Sequence, residues 1–277
     1  MPEPLTPATI ADQLDRHGLR TSRALGQHFL ADPNTARRIV RLAELAPGDR
    51  VLEIGPGIGS LTVALLDAGV TVTALELDRY VLPALAEVVG DSDRVTVHHG
   101  DALITDFDEL LGDGPWRLVA NLPYNVATPI VMRVLADVPA VTDLLVMVQR
   151  EVGERMAATP GGKEYGAVSV KVAYAARAKV VGMVPSTVFV PPPKVDSALV
   201  RLVRHPEPPV AVPSRDALFE LIEAGFGQRR KMLRRALAPL LGDRAGDVLA
   251  GAGVAPERRA ETLTLDEWAA VARTAGA

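Results

Sequence analysis

Short runs of aliphatic and β-branched residues alternate with segments of helical periodicity from residue 50 onward, and this alternation constrains the fold more than any other feature. The predicted strands are residues 50–54, 70–75, 94–98, 116–120 and 144–148. Intervening segments, such as residues 60–68 and 79–89, place apolar side chains at helical spacing. This pattern indicates a parallel sheet with right-handed crossovers, covered by helices on both faces.

Two further strands are expected after the alternating region, at residues 169–180 and 197–203. The connection between them, residues 184–194, is rich in proline and has no helical pattern. Such a connection suits an antiparallel pair at one edge of a sheet. The sequence therefore predicts an α/β fold with a sheet of seven strands.

A proline-rich segment marks the best domain boundary in the chain. Residues 205–213, HPEPPVAVP, contain four prolines in nine positions, and proline disfavours both helices and central strands. Residues 214–273 are rich in Ala, Leu, Arg and Glu at helical spacing. We therefore expect a large domain with an N-terminal arm at residues 1–205 and a small helical domain at residues 206–277.

Composition and charge exclude several classes of protein. The chain has no cysteine, which excludes disulfides, thiol catalysis and Cys-ligated metals, and we expect no metal site. It begins without a signal-peptide pattern, and its longest aliphatic run is residues 144–148, so we expect a cytoplasmic protein outside the membrane. Residues 51–150 carry 5 basic and 14 acidic side chains, whereas the flanking regions are net basic. A cationic ligand suits the middle segment, and a polyanion such as RNA suits the flanks.

Three glycines follow the first predicted strand, at Gly55, Gly57 and Gly59. A glycine loop between a strand and a helix is where a doubly wound sheet binds a nucleotide. The spacing is G-x-G-x-G and not the G-x-G-x-x-G of dinucleotide enzymes. It is similar to motif I of class I methyltransferases. The alternative is a strand-to-helix turn that needs glycine for its backbone conformation alone.

Two acidic residues end the next two strands. Glu76 lies 21 residues after Gly55, a spacing at which a carboxylate accepts the hydroxyls of a ribose. Asp101 ends the third strand and is placed to accept from an adenine amino group. Taken singly, each acid is equally well explained as a helix cap or a solvated loop residue. Together with the glycine loop they favour S-adenosylmethionine over NAD.

The loop after the fourth strand, residues 120–125, has the sequence ANLPYN. The side-chain oxygen of Asn121 and a neighbouring main-chain carbonyl are suited to accept the two N–H groups of an adenine N6 amine. Such acceptors would direct the amine lone pair toward a methyl donor, and the Tyr124 ring would stack on the base. The alternative is a simple turn with a core tyrosine.

Five ordered motifs together resemble the ribosomal RNA adenine N6,N6-dimethyltransferases of the KsgA/RsmA family, and the match covers nearly the whole chain. They are residues 26–30 (GQHFL), 52–59 (LEIGPGIG), 121–124 (NLPY), 189–198 (FVPPPKVDSA) and 227–235 (GQRRKMLRR). The resemblance implies a seven-stranded, Rossmann-like class I methyltransferase sheet followed by a small helical domain.

The resemblance also implies roles for individual residues. Those implied to bind S-adenosylmethionine are His28 and Leu30 at its methionine end, Gly55 and Gly57 in the loop, Glu76 at the ribose, Asp101 at the adenine, and Asn121 between cofactor and target. The catalytic segment is Asn121, Leu122, Pro123 and Tyr124, and Phe189 is implied to face Tyr124 across a flipped base. His28 departs from the family, which usually has asparagine there, so only a main-chain contact is carried over at this position.

A basic cluster near the C-terminus is the candidate RNA contact. It comprises Arg229, Arg230, Lys231, Arg234 and Arg235 on one predicted helix, and the spacing of residues 230, 231, 234 and 235 places these four on one side of it. From the residues alone, phosphate binding and an ordinary solvated face explain it equally well; the resemblance favours RNA. Arg16, Arg20 and Arg23 give the N-terminal arm a weaker basic character of the same kind.

The resemblance implies an enzyme that dimethylates two adjacent adenosines in the 3′-terminal hairpin of 16S ribosomal RNA, acting as a monomer on an assembling small subunit. Catalysis by positioning needs no catalytic His or Cys. One alternative is the erythromycin-resistance type of enzyme, which dimethylates 23S ribosomal RNA; Gly26 and Leu122 favour the small-subunit type. A second is an assembly checkpoint factor without essential catalysis. An NAD-linked oxidoreductase is disfavoured by the glycine spacing.

Overall fold

A computed structural model describes residues 4–21 and 26–276. Its strands are β1 (Phe29–Leu30), β2 (Arg50–Ile54), β3 (Thr71–Glu76), β4 (Val95–His99), β5 (Trp116–Asn121), β6 (Val141–Gln149), β7 (Ala176–Val184), β8 (Phe189–Val190) and β9 (Ser197–Arg204). The helices of the N-terminal half are α1 (Pro7–Arg16), α2 (Pro33–Leu42), α3 (Ser60–Asp67), α4 (Leu82–Val89), α5 (Phe107–Leu111) and α6 (Ala127–Asp137). The later helices are α7 (Arg150–Met156), α8 (Ala167–Ala175), α9 (Arg215–Gly227), α10 (Leu233–Ala236), α11 (Ala238–Leu241), α12 (Ala245–Gly251) and α13 (Leu265–Gly276).

The main sheet has seven strands in the order β4-β3-β2-β5-β6-β9-β7. Strands β2 to β6 are parallel, and β9 is antiparallel to β6. The chain runs outward from β2 through β3 to β4 and then returns to β5 on the other side of β2. This reversal leaves a crevice at the carboxyl ends of β2 and β5, where open α/β sheets bind their ligands. The predicted seven-stranded α/β fold is confirmed.

The central strands of the sheet, β2, β3, β5 and β6, are largely buried. Val51, Leu52, Val72 and Leu118 are each at most 1% exposed. Apolar side chains of α2 and α3 pack on one face of the sheet. Near-continuous burial along the central strands explains why they read as unbroken aliphatic runs in the sequence.

The prediction of a strand at residues 169–180 is wrong in its first half. Residues Ala167–Ala175 form α8, and strand β7 begins only at Ala176. The hydroxyl of Ser169 accepts a hydrogen bond from the backbone N–H of Gly166, which caps the first turn of the helix. The side chains of Val170 and Val172 are fully buried. Tertiary packing therefore outweighs the strand preference of the β-branched residues.

Contacts divide the chain into two compact units. One comprises Met1–Gly153 and Lys179–Arg204, and the other Glu154–Ala178 and His205–Ala277. The expected boundary at residue 205 matches one of the points where the chain passes from one unit to the other. Residues 154–178, which the sequence placed in the first domain, belong to the second unit. The reason is burial, since Tyr165 and Val170 lie in one apolar cluster with Leu218 and other residues of the C-terminal helices. The Tyr165 hydroxyl also donates to the Leu263 carbonyl at 2.8 Å.

The second unit has a helical core around Trp268, which is fully buried. Gly225 of α9 lies against this indole, and a Cβ atom there would come within 2.5 Å of the Trp268 ring. Only glycine permits this close approach of helix and ring. Among the described residues, no helix is both long enough and apolar enough to cross a membrane.

Arg204 caps the C-terminal end of α6 in the first unit. Its guanidinium donates to the carbonyls of Val134, Leu135, Val138 and Val141 at 2.7–3.0 Å. The Val134 and Val138 carbonyls also accept from the backbone N–H groups of Val138 and Val141. Pro139 has no N–H to offer the Leu135 carbonyl, so Arg204 supplies the missing donor there.

We therefore expect Arg204→Met to lower the free energy of unfolding by about 1–3 kcal/mol, because the bonds from a charged donor are lost and the Leu135 carbonyl loses the donor that Pro139 cannot replace. Arg204→Lys should recover only part of the loss, since an ammonium does not span four acceptors. The measurement is urea denaturation followed by circular dichroism. Arg41→Met, at an exposed arginine of α2, is the matched control. Equal losses in the Arg204 and Arg41 variants would show that the cap is unimportant.

Candidate active site

A cavity lies at the carboxyl edge of the sheet in the first unit. Four segments line it: residues 26–30, the glycine loop after β2, residues 76–78 and residues 121–126. Its volume is about 870 Å³ when the space open to solvent is counted. The cavity opens to solvent at the edge where the carboxyl ends of β2, β3 and β5 meet, which is where open α/β sheets bind their ligands.

The glycine loop needs its glycines for backbone reasons. Gly55, Gly57 and Gly59 all have positive φ, at 72°, 57° and 96°. At Gly57 a Cβ atom would also lie 2.9 Å from the Phe29 ring. Side chains other than hydrogen are disfavoured under both conditions. The loop conformation satisfies the turn interpretation, and the position of Gly55 and Gly57 in the cavity lining also fits a ligand-binding role.

Glu76 joins the glycine loop to the end of β3. Its Oε2 accepts from the Gly57 N–H at 2.9 Å, and its Oε1 accepts from the Asp78 N–H at 2.8 Å. Burial raises the pKa of this carboxyl, and the backbone donors partly offset the rise. Each carboxylate oxygen keeps a further lone pair. Glu76 lines the cavity and is able to accept additional hydroxyl donors there.

Asp101 is not among the residues that line the cavity. Its Oδ1 accepts from the Leu103 N–H at 2.8 Å, so the carboxylate caps its own turn. Arg133 of α6 holds the same turn by donating to the carbonyls of Ala102 and Thr105. The structure thus places Asp101 as the cap or loop acid that the sequence left as an alternative, and its adenine contact stays a prediction.

Glu53 also lines the cavity, and the sequence motifs predicted no role for it. It is 1% exposed, and its Oε2 accepts from the Thr62 hydroxyl at 2.7 Å. Burial raises the pKa of Glu53 to about 8, and the neighbouring Glu76 adds to the rise. Among the described residues no cation pairs with it. The signal in the sequence was an acid within the apolar strand VLEI, which ends at the glycine loop.

Asn121 is the last residue of β5, and its amide orientation follows from one contact. Its Nδ2 faces the main-chain oxygen of His28 at 3.3 Å. Because a carbonyl only accepts hydrogen bonds, the amide nitrogen must be the atom that points toward it. Oδ1, an acceptor, then lies on the other branch of the amide. Leu122, Pro123 and Tyr124 follow directly, and all of them line the cavity.

Tyr124 is half-buried and held at two points. Its hydroxyl lies 2.6 Å from the hydroxyl of Ser197 in β9. Its ring stacks on the imidazole of His28, with centroids 5.6 Å apart and an interplanar angle of 28°. Burial raises the pKa of Tyr124, so the phenol stays protonated near neutral pH.

The resemblance predicts that Phe189 faces Tyr124 across a flipped base, and the structure does not show the ring in the cavity lining. Strand β8 pairs with β1 so that Phe189 lies opposite Leu30. The ring is 2% exposed and packs in the main apolar core, outside the lining of the cavity. The structure therefore shows a core phenylalanine, and the stacking of its ring on a flipped base stays a prediction. Leu30 does line the cavity, as do His28, Gly55, Gly57, Glu76 and Asn121.

The basic cluster does not lie on one helix, contrary to the prediction. Residues 228–230 form a turn, and α10 spans only Leu233–Ala236. All five side chains, Arg229, Arg230, Lys231, Arg234 and Arg235, are nevertheless exposed. Arg229 pairs with Glu261 at 2.7 Å, and Arg234 lies 3.7 Å from Glu257. The cluster thus spans the turn after α9 and the short helix α10 and does not lie on one continuous helix.

In the N-terminal arm, Arg16 pairs with Asp12 and Glu87, whereas Arg23 lies outside the described residues. Within the part of the chain that the structure describes, no group of His, Asp or Glu side chains is arranged to hold a metal ion.

A family model described as Ribosomal RNA adenine dimethylase matches residues 18–275. A protein of Streptomyces griseus named Ribosomal RNA small subunit methyltransferase A is 46% identical over 275 residues, which cover 97% of this chain and 94% of the relative. A protein of the same name from Moorella thermoacetica is 45% identical over 280 residues, with 97% of each chain covered.

Two solved structures share the architecture. A dimethyladenosine transferase from Plasmodium falciparum matches with a TM-score of 0.75 at 24% identity, over 88% of this chain and 96% of that chain. The 23S rRNA methyltransferase ErmE matches with a TM-score of 0.68 at 26% identity, over 90% of this chain and 100% of that chain. The predicted class I methyltransferase fold is confirmed.

The buried Glu53 carboxyl makes stability depend on pH. An acid whose pKa is about 8 in the folded chain and 4.5 in the unfolded chain keeps its proton longer when folded. Its contribution to stability is therefore present below pH 4.5 and is lost as the pH rises from there through about 8.

We expect Glu53→Gln to gain stability relative to the parent protein between pH 5 and pH 8.5, by about 2 kcal/mol or more. The glutamine oxygen still accepts from Thr62, so packing changes little. Denaturant unfolding of both proteins at the two pH values gives the difference directly. The repulsion between ionised Glu53 and Glu76 exists only in the parent protein, and it adds to the expected difference in the same direction. A stability difference that is constant with pH would show that Glu53 does not hold its proton.

Proposed function

The chain belongs to the ribosomal RNA adenine dimethylase family, and from this membership we propose that it dimethylates adenine N6 in 16S ribosomal RNA with S-adenosylmethionine as methyl donor. The observation that carries the proposal is the fixed amide of Asn121 at the edge of the cavity. Its nitrogen donates to the His28 carbonyl, which leaves the oxygen as an acceptor in a cavity that Tyr124 also lines.

The cavity residues fit an adenosyl sulfonium. Glu76 offers carboxylate lone pairs to a ribose diol, and the glycine loop lets a ligand approach the backbone closely. Glu53, Glu76 and Asp78 line the same cavity, and acidic side chains suit a ligand that carries a sulfonium and an ammonium. When bound, S-adenosylmethionine supplies a methyl group activated for nucleophilic attack. His28, Leu30, Gly55, Gly57, Glu76 and Asn121 are the residues we propose to hold it, with Asp101 as a further candidate at the adenine.

Catalysis by this chain is proposed to consist of orienting the acceptor amine. The Oδ1 atom of Asn121 accepts one N–H of adenine N6, and a main-chain carbonyl of the 121–124 loop accepts the other. The amine lone pair is then directed out of the purine plane toward the donor. Tyr124 stacks on the base and keeps it out of water. The N6 amine would attack the methyl carbon of the bound donor as the carbon–sulfur bond breaks, the thioether product would leave, and the N6 proton would pass to solvent. The amine is thus the nucleophile itself, so the positioning of the two reactants supplies most of the acceleration.

The substrate assignment rests on the relatives. Proteins 45–46% identical over nearly the full chain are named for the small ribosomal subunit, whereas the 23S rRNA methyltransferase ErmE is 26% identical. We therefore favour 16S over 23S ribosomal RNA, and propose two adjacent adenosines of the 3′-terminal hairpin as the target. We further propose a cytoplasmic monomer that acts on an assembling small subunit. A role as an assembly checkpoint is compatible with the same binding surface.

The direct test supplies labelled S-adenosylmethionine with unmethylated small and large ribosomal subunits and maps the modified base. The proposal expects dimethyladenosine at two neighbouring positions of the small-subunit RNA only. Modification of the large subunit would support the erythromycin-resistance type of activity. Binding of small subunits without modification of either would support the checkpoint factor.

We expect Asn121→Ala to lower kcat at least about 100-fold, because the amine loses its acceptor and its orientation. The Kd for S-adenosylmethionine, measured by calorimetry, should change little, since Glu76 and the glycine loop remain. Asn34→Ala, at an exposed position of α2, serves as the control. Near-normal turnover by Asn121→Ala would refute the role assigned to the amide.

The exposed basic cluster is proposed to bind RNA phosphates. Reversing Arg230 and Arg234 to glutamate should weaken RNA binding and reduce the slope of log K against log salt by roughly 1.5, because about two phosphate contacts are lost. Filter binding at several salt concentrations measures the slope. Reversal of Arg37 and Arg41, both exposed on α2, controls for net charge. An equal change in the control would assign the effect to overall charge and not to this cluster.

A further inference from the structure

His28 contacts three segments of the candidate site, although only its main chain was expected to matter. Its carbonyl accepts from Asn121, its ring stacks on Tyr124, and its Nδ1 lies 2.8 Å from the Pro191 carbonyl. A ligand-binding role for the main chain explains none of the ring contacts.

The ring nitrogen that faces Pro191 must carry a hydrogen, because a carbonyl only accepts. This bond therefore exists in the neutral Nδ1–H tautomer and also in the imidazolium. It ties residue 28 to the connection between β8 and β9 whatever the charge of the ring.

The register of β1 and β8 explains why a side chain is needed there. Phe29 pairs with Val190 and Leu30 with Phe189, so the next opposed pair is His28 and Pro191. Ala31 donates to the Val188 carbonyl, and opposed pairs of an antiparallel ladder alternate between bonded and non-bonded, so the backbone groups of His28 and Pro191 do not bond each other. The His28 ring supplies a donor to the proline carbonyl at this point and extends the tie between the two segments.

The stack on Tyr124 has a different consequence. The imidazole contacts one part of the phenol ring, while the Ser197 hydroxyl holds its far end. A stacking ring fixed in this way loses less conformational entropy when a base binds. It also leaves the opposite ring face for a purine, in a cavity that Asn121, three residues earlier in the chain, also lines.

We propose that the His28 side chain is a positioning residue for the target base, which holds Tyr124 by stacking and anchors the 191–196 connection by its Nδ1 donor. The inference rests on the proposed methyl transfer to adenine. Binding of S-adenosylmethionine at this position is left to the main chain.

Three variants separate the two contacts. In His28→Asn the amide nitrogen takes the place of Nδ1, so the donor is kept and the stack is lost. In His28→Phe the ring is kept and the donor is lost, and His28→Ala removes both. His205→Phe is the matched control, because its imidazole also contacts a backbone carbonyl, that of Ala173, and lies in the second unit.

The variants are compared by steady-state kinetics on unmethylated small subunits, by calorimetric titration with S-adenosylmethionine, and by thermal melting. We expect kcat to fall about threefold to tenfold in His28→Asn and in His28→Phe, and about 10- to 50-fold in His28→Ala. The Kd for S-adenosylmethionine should stay within about twofold of the parent value. Normal kcat in both single-contact variants, or a loss that appears entirely in the cofactor Kd, would overturn the proposal.

A spectroscopic measurement keeps this test separate from the proposed function. The chain has 4 tyrosines, so 3-fluorotyrosine labelling gives few fluorine resonances, and Tyr124→Phe assigns the one of interest. This resonance should shift or broaden in His28→Ala and in His28→Asn but not in His205→Phe, with no RNA present. An unchanged resonance would refute the positioning role even if methylation is confirmed. A shifted resonance in a protein that methylates no ribosomal RNA would refute only the proposed function.

Discussion

The pairing of β2 with β3 on one side and with β5 on the other is the constraint on which the site depends. Parallel pairing brings the carboxyl ends of the three strands to one edge, so Glu53, Glu76 and Asn121 line one cavity although up to 68 residues separate them in the chain. The hydrogen bond between Glu76 and the Gly57 N–H then joins two of these strand ends directly. A change in the strand order would disperse the site even with every side chain retained.

The electrostatics of the cavity are unusual for a buried region. Two carboxyl groups, Glu53 and Glu76, are 1% and 7% exposed and raise each other's energy when both are ionised. Burying a carboxylate without a cation costs free energy, which the protein avoids in part by holding a proton on Glu53. A cationic ligand would lower the cost of ionising both groups. These two acids, which are costly to ionise together, therefore favour a cationic ligand over a neutral or anionic one.

The sequence predicted those parts of the molecule that depend on local pattern. The central strands, the glycine loop and the loop of Asn121 lie within a few residues of their expected places, because buried parallel strands are continuous aliphatic runs and each turn has its own signal. The parts of the structure that local pattern did not predict depend on tertiary packing. Val170 and Val172 favour a strand locally but are buried in a helix, and Phe189 carries a motif whose ring the β1–β8 pairing places in the core. No periodicity in the sequence reports such packing.

The main chain and the side chain of His28 make different contacts in the site. The Asn121 amide uses the His28 carbonyl to fix its own orientation, so that this contact survives any substitution at residue 28 that preserves the backbone. The ring of residue 28 is then free to contact Tyr124 and Pro191. Histidine and asparagine both donate to a carbonyl at this reach, but only histidine offers a ring to stack. Exchange between them thus preserves the anchor of the proline-rich connection and alters the support of the stacking tyrosine.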